Sequence, residues 1–391
     1  MQGRINMLPF RDESAMSKPT SPPSSDRIDP VRRKLWLSDD DFQSEMLVGV
    51  SRTFALTIPQ LPAELRRVVS NAYLLCRIVD TIEDEPALSG TQKNSFCQQF
   101  LRTLNVTRNA EPFSRNLAAA LSGQTPPAEH ELIRNVPRVL RITRSFSEPQ
   151  REALQQCVRA MAKGMGEFQL RVEKQELQSL RDLDQYCYYV AGVVGQMLTC
   201  LFCLHSAEIA KHRDALMALA VSFGQGLQMT NILKDVWEDY HHGACWLPRR
   251  IFAEEGFDLS YLMTARNRQG FERGVQRLIG IAHRHLRNAL AYTLLIPKRE
   301  TGIRDFCLWA IGLAVLTLRK INSHLDYTDG TQVKISRRSV KGTILATRLL
   351  RQNDTFLKLL FYLASWRLPL VAQLKGPPSQ GRSANKANRA L

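Results

Sequence analysis

The sequence lacks the signals that build a sheet. Alternating apolar and polar runs bounded by Gly or Asn turns are missing, which argues against sandwiches, barrels and doubly wound folds. No internal repeat recurs at a fixed period, so solenoids and propellers are not expected. Residues 1–30 hold no apolar run and are rich in Ser and Pro, so a secretory leader is not expected either. The eight cysteines (Cys76, Cys97, Cys157, Cys187, Cys200, Cys203, Cys245 and Cys307) are irregularly spaced. Cys200-Leu-Phe-Cys203 follows no strand and lacks the second pair of a zinc site. All eight read as reduced thiols buried in helices, in a cytoplasmic setting. Aromatics interleaved with basic residues, and any recognisable reading module, are absent, so nucleic acid is not an expected partner.

What is present is helical text in a basic chain. The 391 residues are 44% apolar and 23% charged, enough for a large core, with a net charge of +16. Residues 281–374 carry 15 Lys/Arg against 5 Asp/Glu, and 375–391 add four Lys/Arg and no acid. Such charge suits diphosphates or anionic lipid heads. We expect a disordered arm over 1–34, one all-α domain over 35–374, and a disordered basic tail over 375–391. Its helices are expected over 39–57, 62–83, 89–107, 112–121, 129–146, 148–174, 180–205, 214–240, 248–254, 267–295, 303–325 and 354–370. Residues 356–374 are strongly apolar but include Lys358, Arg367 and Pro369, which disfavour a span. They read first as a closing core helix and second as an interfacial helix on a membrane face.

Two segments carry chemistry. In Tyr73-Leu-Leu-Cys-Arg-Ile-Val-Asp-Thr-Ile-Glu-Asp84, a helix puts Tyr73, Arg77, Asp80 and Asp84 within an arc of about 60°, with Glu83 beside them. Carboxylates on a helix whose other residues are apolar are costly unless a cation neutralises them. The second segment, Gly224 to Asp239, aligns Gln228, Asn231, Asp235 and Asp239, with Glu238 adjacent. Hard oxygen donors at i and i+4 suit Mg2+, which completes its octahedron with waters and substrate phosphates. One such stripe alone reads as a solvated face; two together point to a diphosphate gripped through divalent ions.

Other features are weaker. Ser51-Arg-Thr-Phe54 offers a cation, Arg52, and a ring that could face positive charge, although Ser51 also suits a helix terminus and Phe54 a core. Tyr186-Cys-Tyr-Tyr-Val-Ala-Gly-Val-Val-Gly-Gln-Met197 aligns Tyr186, Val190, Val193 and Met197, as core or as the wall of a greasy tunnel. Val190, Val194 and Leu198 are the candidate wall residues. Gly192 and Gly195 leave room for a backbone or a long apolar chain. Gly224-Gln-Gly226 lies inside a helix and after no strand, so a dinucleotide-binding turn is not expected there.

These motifs resemble the squalene/phytoene synthase family of trans-isoprenyl diphosphate synthases, over residues 40 to 340. The matching pieces are Ser51-Arg-Thr-Phe54, Tyr73-x-x-x-Arg77-x-x-Asp80-Thr-Ile-Glu-Asp84, Tyr186-Cys-x-Tyr-Val-Ala-Gly-x-Val-Gly195 and Gln228-x-x-Asn231-Ile-x-x-Asp235-x-x-Glu-Asp239. Val333-Lys-Ile-Ser-Arg337 is similar to a segment of the squalene-forming branch. The resemblance implies a single large helical domain of the isoprenoid synthase type with a central cavity. It also implies Mg2+ (or Mn2+), NADPH, and head-to-head condensation of two farnesyl diphosphates to presqualene diphosphate, reduced onward to squalene in sterol or hopanoid biosynthesis. Dehydrosqualene, hydroxysqualene or phytoene is the alternative product, and a non-catalytic membrane-associated scaffold the remote one.

By the same resemblance, Asp80, Glu83, Asp84, Asn231, Asp235 and Asp239 hold metal. Tyr186, Phe54, Arg77 and Tyr73 serve catalysis. Ser51, Arg52, Arg77, Gln228 and Asn231 contact substrate, and Arg52, Arg77, Lys234, Lys334 and Arg337 contact cofactor. Ala244 and Ser336 stand where the family has arginines, and Lys234 where it has another.

Overall fold

The computed structural model describes residues 37–51, 53–105, 109–173, 177–262 and 267–370. The whole of the expected arm and tail lies outside them, as do residues 35, 36 and 371–374 of the expected domain. From Asp39 onward the chain forms one compact unit, and no strand occurs among the described residues. Seventeen α-helices follow in order: α1 Asp39–Val50, α2 Phe54–Thr57, α3 Ala63–Asp84, α4 Gly90–Asn105, α5 Glu111–Ala120, α6 Pro127–Arg134, α7 Val136–Arg144, α8 Glu148–Glu173, α9 Leu180–Cys187, α10 Val193–His205, α11 Ala207–Ala210, α12 Arg213–His241, α13 Arg249–Glu254, α14 Arg268–Leu295, α15 Thr301–Asn322, α16 Arg337–Leu350 and α17 Asp354–Ser365. The all-α expectation holds.

Helix boundaries follow local chemistry. Ser179 caps α9 with a reciprocal box: it accepts from Asp182 N, whose carboxylate accepts from Ser179 N at 2.8 Å. Asn353 caps α17, and Ser336, read from the resemblance as a replaced arginine, caps α16 through Ser339 N at 3.1 Å. Two helices expected to be continuous are not. The first expected helix breaks after Val50, and 129–146 divides at Asn135. Helix α16 lies outside every expected helix.

The stretch over 180–205 is helical but irregular. Between α9 and α10, Tyr188–Gly192 forms one π-helical turn, so a uniform 100° step overruns there. Here the small residues serve close backbone packing. A Cβ on Gly195 would lie 2.2 Å from Ala220 O, and one on Gly224 would lie 2.2 Å from Ala191 O. Helix α12 therefore touches α10 and the π turn main chain to main chain, and it packs along α14 on another side. Helix α8 joins this half to the other, contacting both α3 and α10. One large core cluster joins Phe168 of α8 and Leu183 of α9 to Met229, Phe252, Leu278 and Leu318 of α12 to α15.

The last two helices form a hairpin against α15. Arg351 pairs with Asp305, and the fully buried Arg304 pairs with Asp354 at the start of α17. Leu357 and Ser365 face inward and are buried, but Phe356, Leu359, Tyr362 and Leu363 are exposed. The closing-helix reading is thus correct for one side of α17 and not for the other. By length and composition two stretches, Leu180–His205 and Thr301–Asn322, could cross a membrane, and 72% of the apolar window of the second is buried inside the protein. The eight cysteines are all free thiols, five buried and three partly so, Cys245 among the latter and outside any helix.

Candidate active site

Helix α3 shows how the first stripe is made. From Val68 to Asp84 every residue is buried except Tyr73, Arg77, Asp80 and Asp84. One line of polar groups is open along a helix otherwise packed on all sides, as the wall of an internal hollow requires. Arg77 donates from Nη2 to Tyr73 Oη at 3.0 Å, and Tyr73 donates to Val50 O at 3.2 Å. The guanidinium also lies 3.8 Å from Asp80 and 3.8 Å from Glu129 of α6. Phe54 stands beside Tyr73, ring centroids 5.2 Å apart. Ser51 Oγ accepts from Phe54 N at 3.0 Å, the helix-terminus role its residue type suggested. Arg52 lies outside the described residues.

The second stripe is made the same way. Gln228, Asp235 and Asp239 on α12 are partly open and Asn231 is exposed, while Met229, Thr230, Ile232, Leu233, Val236 and Trp237 between them are buried. Lys234 pairs with Asp235 at 3.0 Å.

Electrostatics join the two rows. Burial pushes Asp80 up to about 7, opposed by Arg77 and reinforced by Asp84 and Glu129. Burial likewise pushes Asp239 up to about 7, and the negative charges of Asp235 and Asp84 add to it. Asp84 is raised by the enclosing protein although its side chain is exposed, which places it in a recess that water reaches. The Tyr186 phenol is raised by burial and then by Cys187, Asp84, Asp80 and Asp239. One hydroxyl thus feels carboxylates of both helices, so the two rows lie near one another. Trp246 stacks on Tyr186, centroids 3.8 Å apart at 14°.

Not every expected residue joins this constellation. Glu83 is buried on the side of α3 that meets α4: Lys93 Nζ donates to its carbonyl, and its charge is felt by Cys97. Val190, Val194 and Leu198 are partly exposed, and Val190 packs on the main core. Lys334 and Arg337 are exposed. The loop carrying Lys334 runs beside the second row, where a Cβ on Gly330 would meet Lys234 O at 2.9 Å and Asp235 Oδ1 at 3.5 Å. Tyr327 of that loop donates to Leu233 O.

Two further groups emerge from the structure. Glu129 sits against the first row, where it also accepts from Thr81 Oγ1 at 2.9 Å. Trp246 backs Tyr186. Neither shares a helix face with the residues it serves, so no periodicity could reveal them; the only cue to Glu129 was its place in the first turn after Pro126-Pro127.

The donor set fits a divalent cation shared with a bound phosphate better than a closed protein cage. Among the described residues no three His, Cys, Asp or Glu side chains converge on a metal position. Paired aspartates whose carboxyls burial pushes upward match a hard cation that takes one or two carboxylates and completes its shell elsewhere.

Known proteins share these features. The squalene/phytoene synthase family model matches residues 47–339. A squalene synthase of Botryococcus braunii is 30% identical over 278 residues, 70% of this chain and 56% of its own. A squalene synthase of Saccharomyces cerevisiae is 28% identical over 314 residues, 78% of this chain and 67% of its own. The chain thus spans about 56% to 67% of these curated relatives' lengths. The fold is similar to that of TcSQS bound to the ligand BPH1237, with TM-score 0.67 at 24% identity over 84% of this chain and 98% of that one. It is also similar to that of a dehydrosqualene synthase, with TM-score 0.57 at 20% identity over 85% and 100%. With the family model covering the segment that carries both aspartate rows, Tyr186 and Lys334, the chain belongs to the squalene/phytoene synthase family.

Proposed function

We propose that this protein is a squalene synthase, condensing two farnesyl diphosphates head to head to presqualene diphosphate and reducing that intermediate to squalene with NADPH. The observation that supports it is the influence of Asp84 on Asp239, carboxylates of separate motifs that also both act on Tyr186. Bound Mg2+ would be held by Asp80, Asp84, Asp235 and Asp239, with Asn231 as a neutral donor, and would offset the charge of the departing diphosphate. NADPH would supply a hydride, with Lys334 and Lys234 as candidate cations for its phosphates.

The chain's own groups do the rest. Arg77, fixed by Tyr73 and Glu129, offers donors to a diphosphate oxygen. Ionisation of the allylic diphosphate leaves a carbocation, and the Phe54 and Tyr73 faces can stabilise it while apolar walls exclude water. Tyr186, kept neutral by its surroundings, holds a proton at Oη and can donate it to the leaving diphosphate. Val190, Val194 and Leu198 would line the path of the prenyl chains. A second reading, condensation without reduction to a dehydrosqualene-type product, is favoured by Ala244 and by Ser336, whose hydroxyl is spent on capping α16.

Incubation with labelled farnesyl diphosphate and Mg2+, with and without NADPH, followed by mass spectrometry, tests both readings. Squalene only when NADPH is present supports the first, and dehydrosqualene under both conditions supports the second. Asp84→Asn is expected to lower conversion on the order of 100-fold; near-parental turnover by that variant would refute the assignment.

A further inference from the structure

Eleven large apolar side chains are exposed among the described residues, and eight of them fall within 345–370: Leu345, Leu349, Phe356, Leu359, Tyr362, Leu363, Trp366 and Leu370. On α17, Phe356, Leu359, Tyr362 and Leu363 share an arc of about 120°. The opposite side is apolar too, with Leu357 buried and Phe361 stacked on His283. A helix apolar on two sides is normally covered on both, and a patch of this kind on a soluble surface marks an interaction site. The hairpin is held firmly in place by the Arg351–Asp305 and Arg304–Asp354 pairs.

Charge decides what covers it. Residues 337–370 contain seven Lys/Arg and a single acid, Asp354, which Arg304 already engages. Arg338, Lys341, Lys358 and Arg367 are exposed around the patch. A second copy would bring the same surplus of positive charge face to face with its own. Residues 371–391 add four more Lys/Arg and no acid, so they cannot neutralise it. Tyr362 and Trp366 form an edge-to-face pair, centroids 5.1 Å apart, of the residue types that settle at a lipid headgroup boundary.

We propose that the outer face of the α16–α17 hairpin docks on an anionic phospholipid bilayer. Helix α17 lies in the plane of the interface, its apolar arc among the upper acyl chains and its cations among the headgroup phosphates. The hairpin lies on the bilayer and does not cross it. This inference does not rest on the reaction assigned above and can fail or stand separately from it.

The test is co-sedimentation of the full chain with vesicles of phosphatidylglycerol and phosphatidylcholine, 3:7. Binding is expected to need phosphatidylglycerol and to weaken with KCl. Leu359→Glu/Leu363→Glu is expected to lower partitioning at least about tenfold, while Leu204→Glu, at an exposed leucine elsewhere, leaves it unchanged. Because the two leucines are exposed, melting temperatures are expected to stay within a few degrees of the parent. Should the double variant fail to fold, Lys358→Glu/Arg367→Glu replaces it and is expected to abolish the preference for phosphatidylglycerol. Equal binding to phosphatidylcholine alone, parental binding by the Leu359/Leu363 or the Lys358/Arg367 variant, or a vesicle-indifferent dimer that the leucine variant splits into monomers would each overturn the proposal.

Discussion

At the scale of single residues, the candidate site trades stability for charge. Asp80 has an ordinary carboxyl value of 3.8 and is raised to about 7 in the fold. The folded state therefore holds this proton more tightly than the unfolded chain, and the stability it contributes is lost as pH rises from about 4 through 7. Asp80→Asn carries no such loss. Without metal the variant is expected to be more stable than the parent at pH 8 by about 2 kcal/mol, after discounting for a side chain 22% exposed, with the gap closing near pH 4. Chemical denaturation at the two pH values checks this; an equal gap at both would refute it. The same variant is expected to bind Mg2+ and inorganic diphosphate far more weakly in calorimetry. Tyr186→Phe keeps the ring stacked on Trp246. It is expected to lower kcat on the order of 100-fold with little change in melting temperature, since only the hydroxyl is removed.

At the scale of elements, the sequence made both acid rows legible because each lies on one long helix. A 3.6-residue period carries Tyr73 to Asp84 and Gln228 to Asp239 without interruption, and burial then isolates those residues. Glu83 was grouped with the metal-binding acids only by proximity and motif resemblance, and burial on the α4 side sets it apart. Glu129 and Trp246 could not be read, since each reaches the site through tertiary packing from its own segment. The π turn at Tyr188–Gly192 was equally hidden, because main-chain contacts with α12 and not side-chain propensity define it. Those contacts make a sharp contrast between two glycines. Gly224→Ala would set a methyl against Ala191 O and is expected to cost about 2–3 kcal/mol. Gly342→Ala on α16 meets nothing within 4 Å and is expected to gain roughly 0.5–1 kcal/mol from helix propensity. Thermal unfolding of both variants measures the difference.

At the scale of the whole molecule, a chain with net charge +16 surrounds a recess rich in carboxylates. On the proposed function, the exterior field would draw an anionic diphosphate inward, and the recess would accept it only with cations. For that reason kcat/KM for farnesyl diphosphate is expected to fall several-fold between 50 and 500 mM KCl at constant free Mg2+, with kcat changing little. Steady-state kinetics across that range decide it. The two aspartate rows also come from opposite halves of the chain, α3 lying before α8 and α12 after it. Neither half alone would hold the proposed diphosphate, so bound substrate would act as a keystone between them. A polypeptide severed anywhere between Asp84 and Asp235 would be inert as separate fragments and would recover turnover only as the pieces reassemble, making catalysis itself a reporter of fragment complementation.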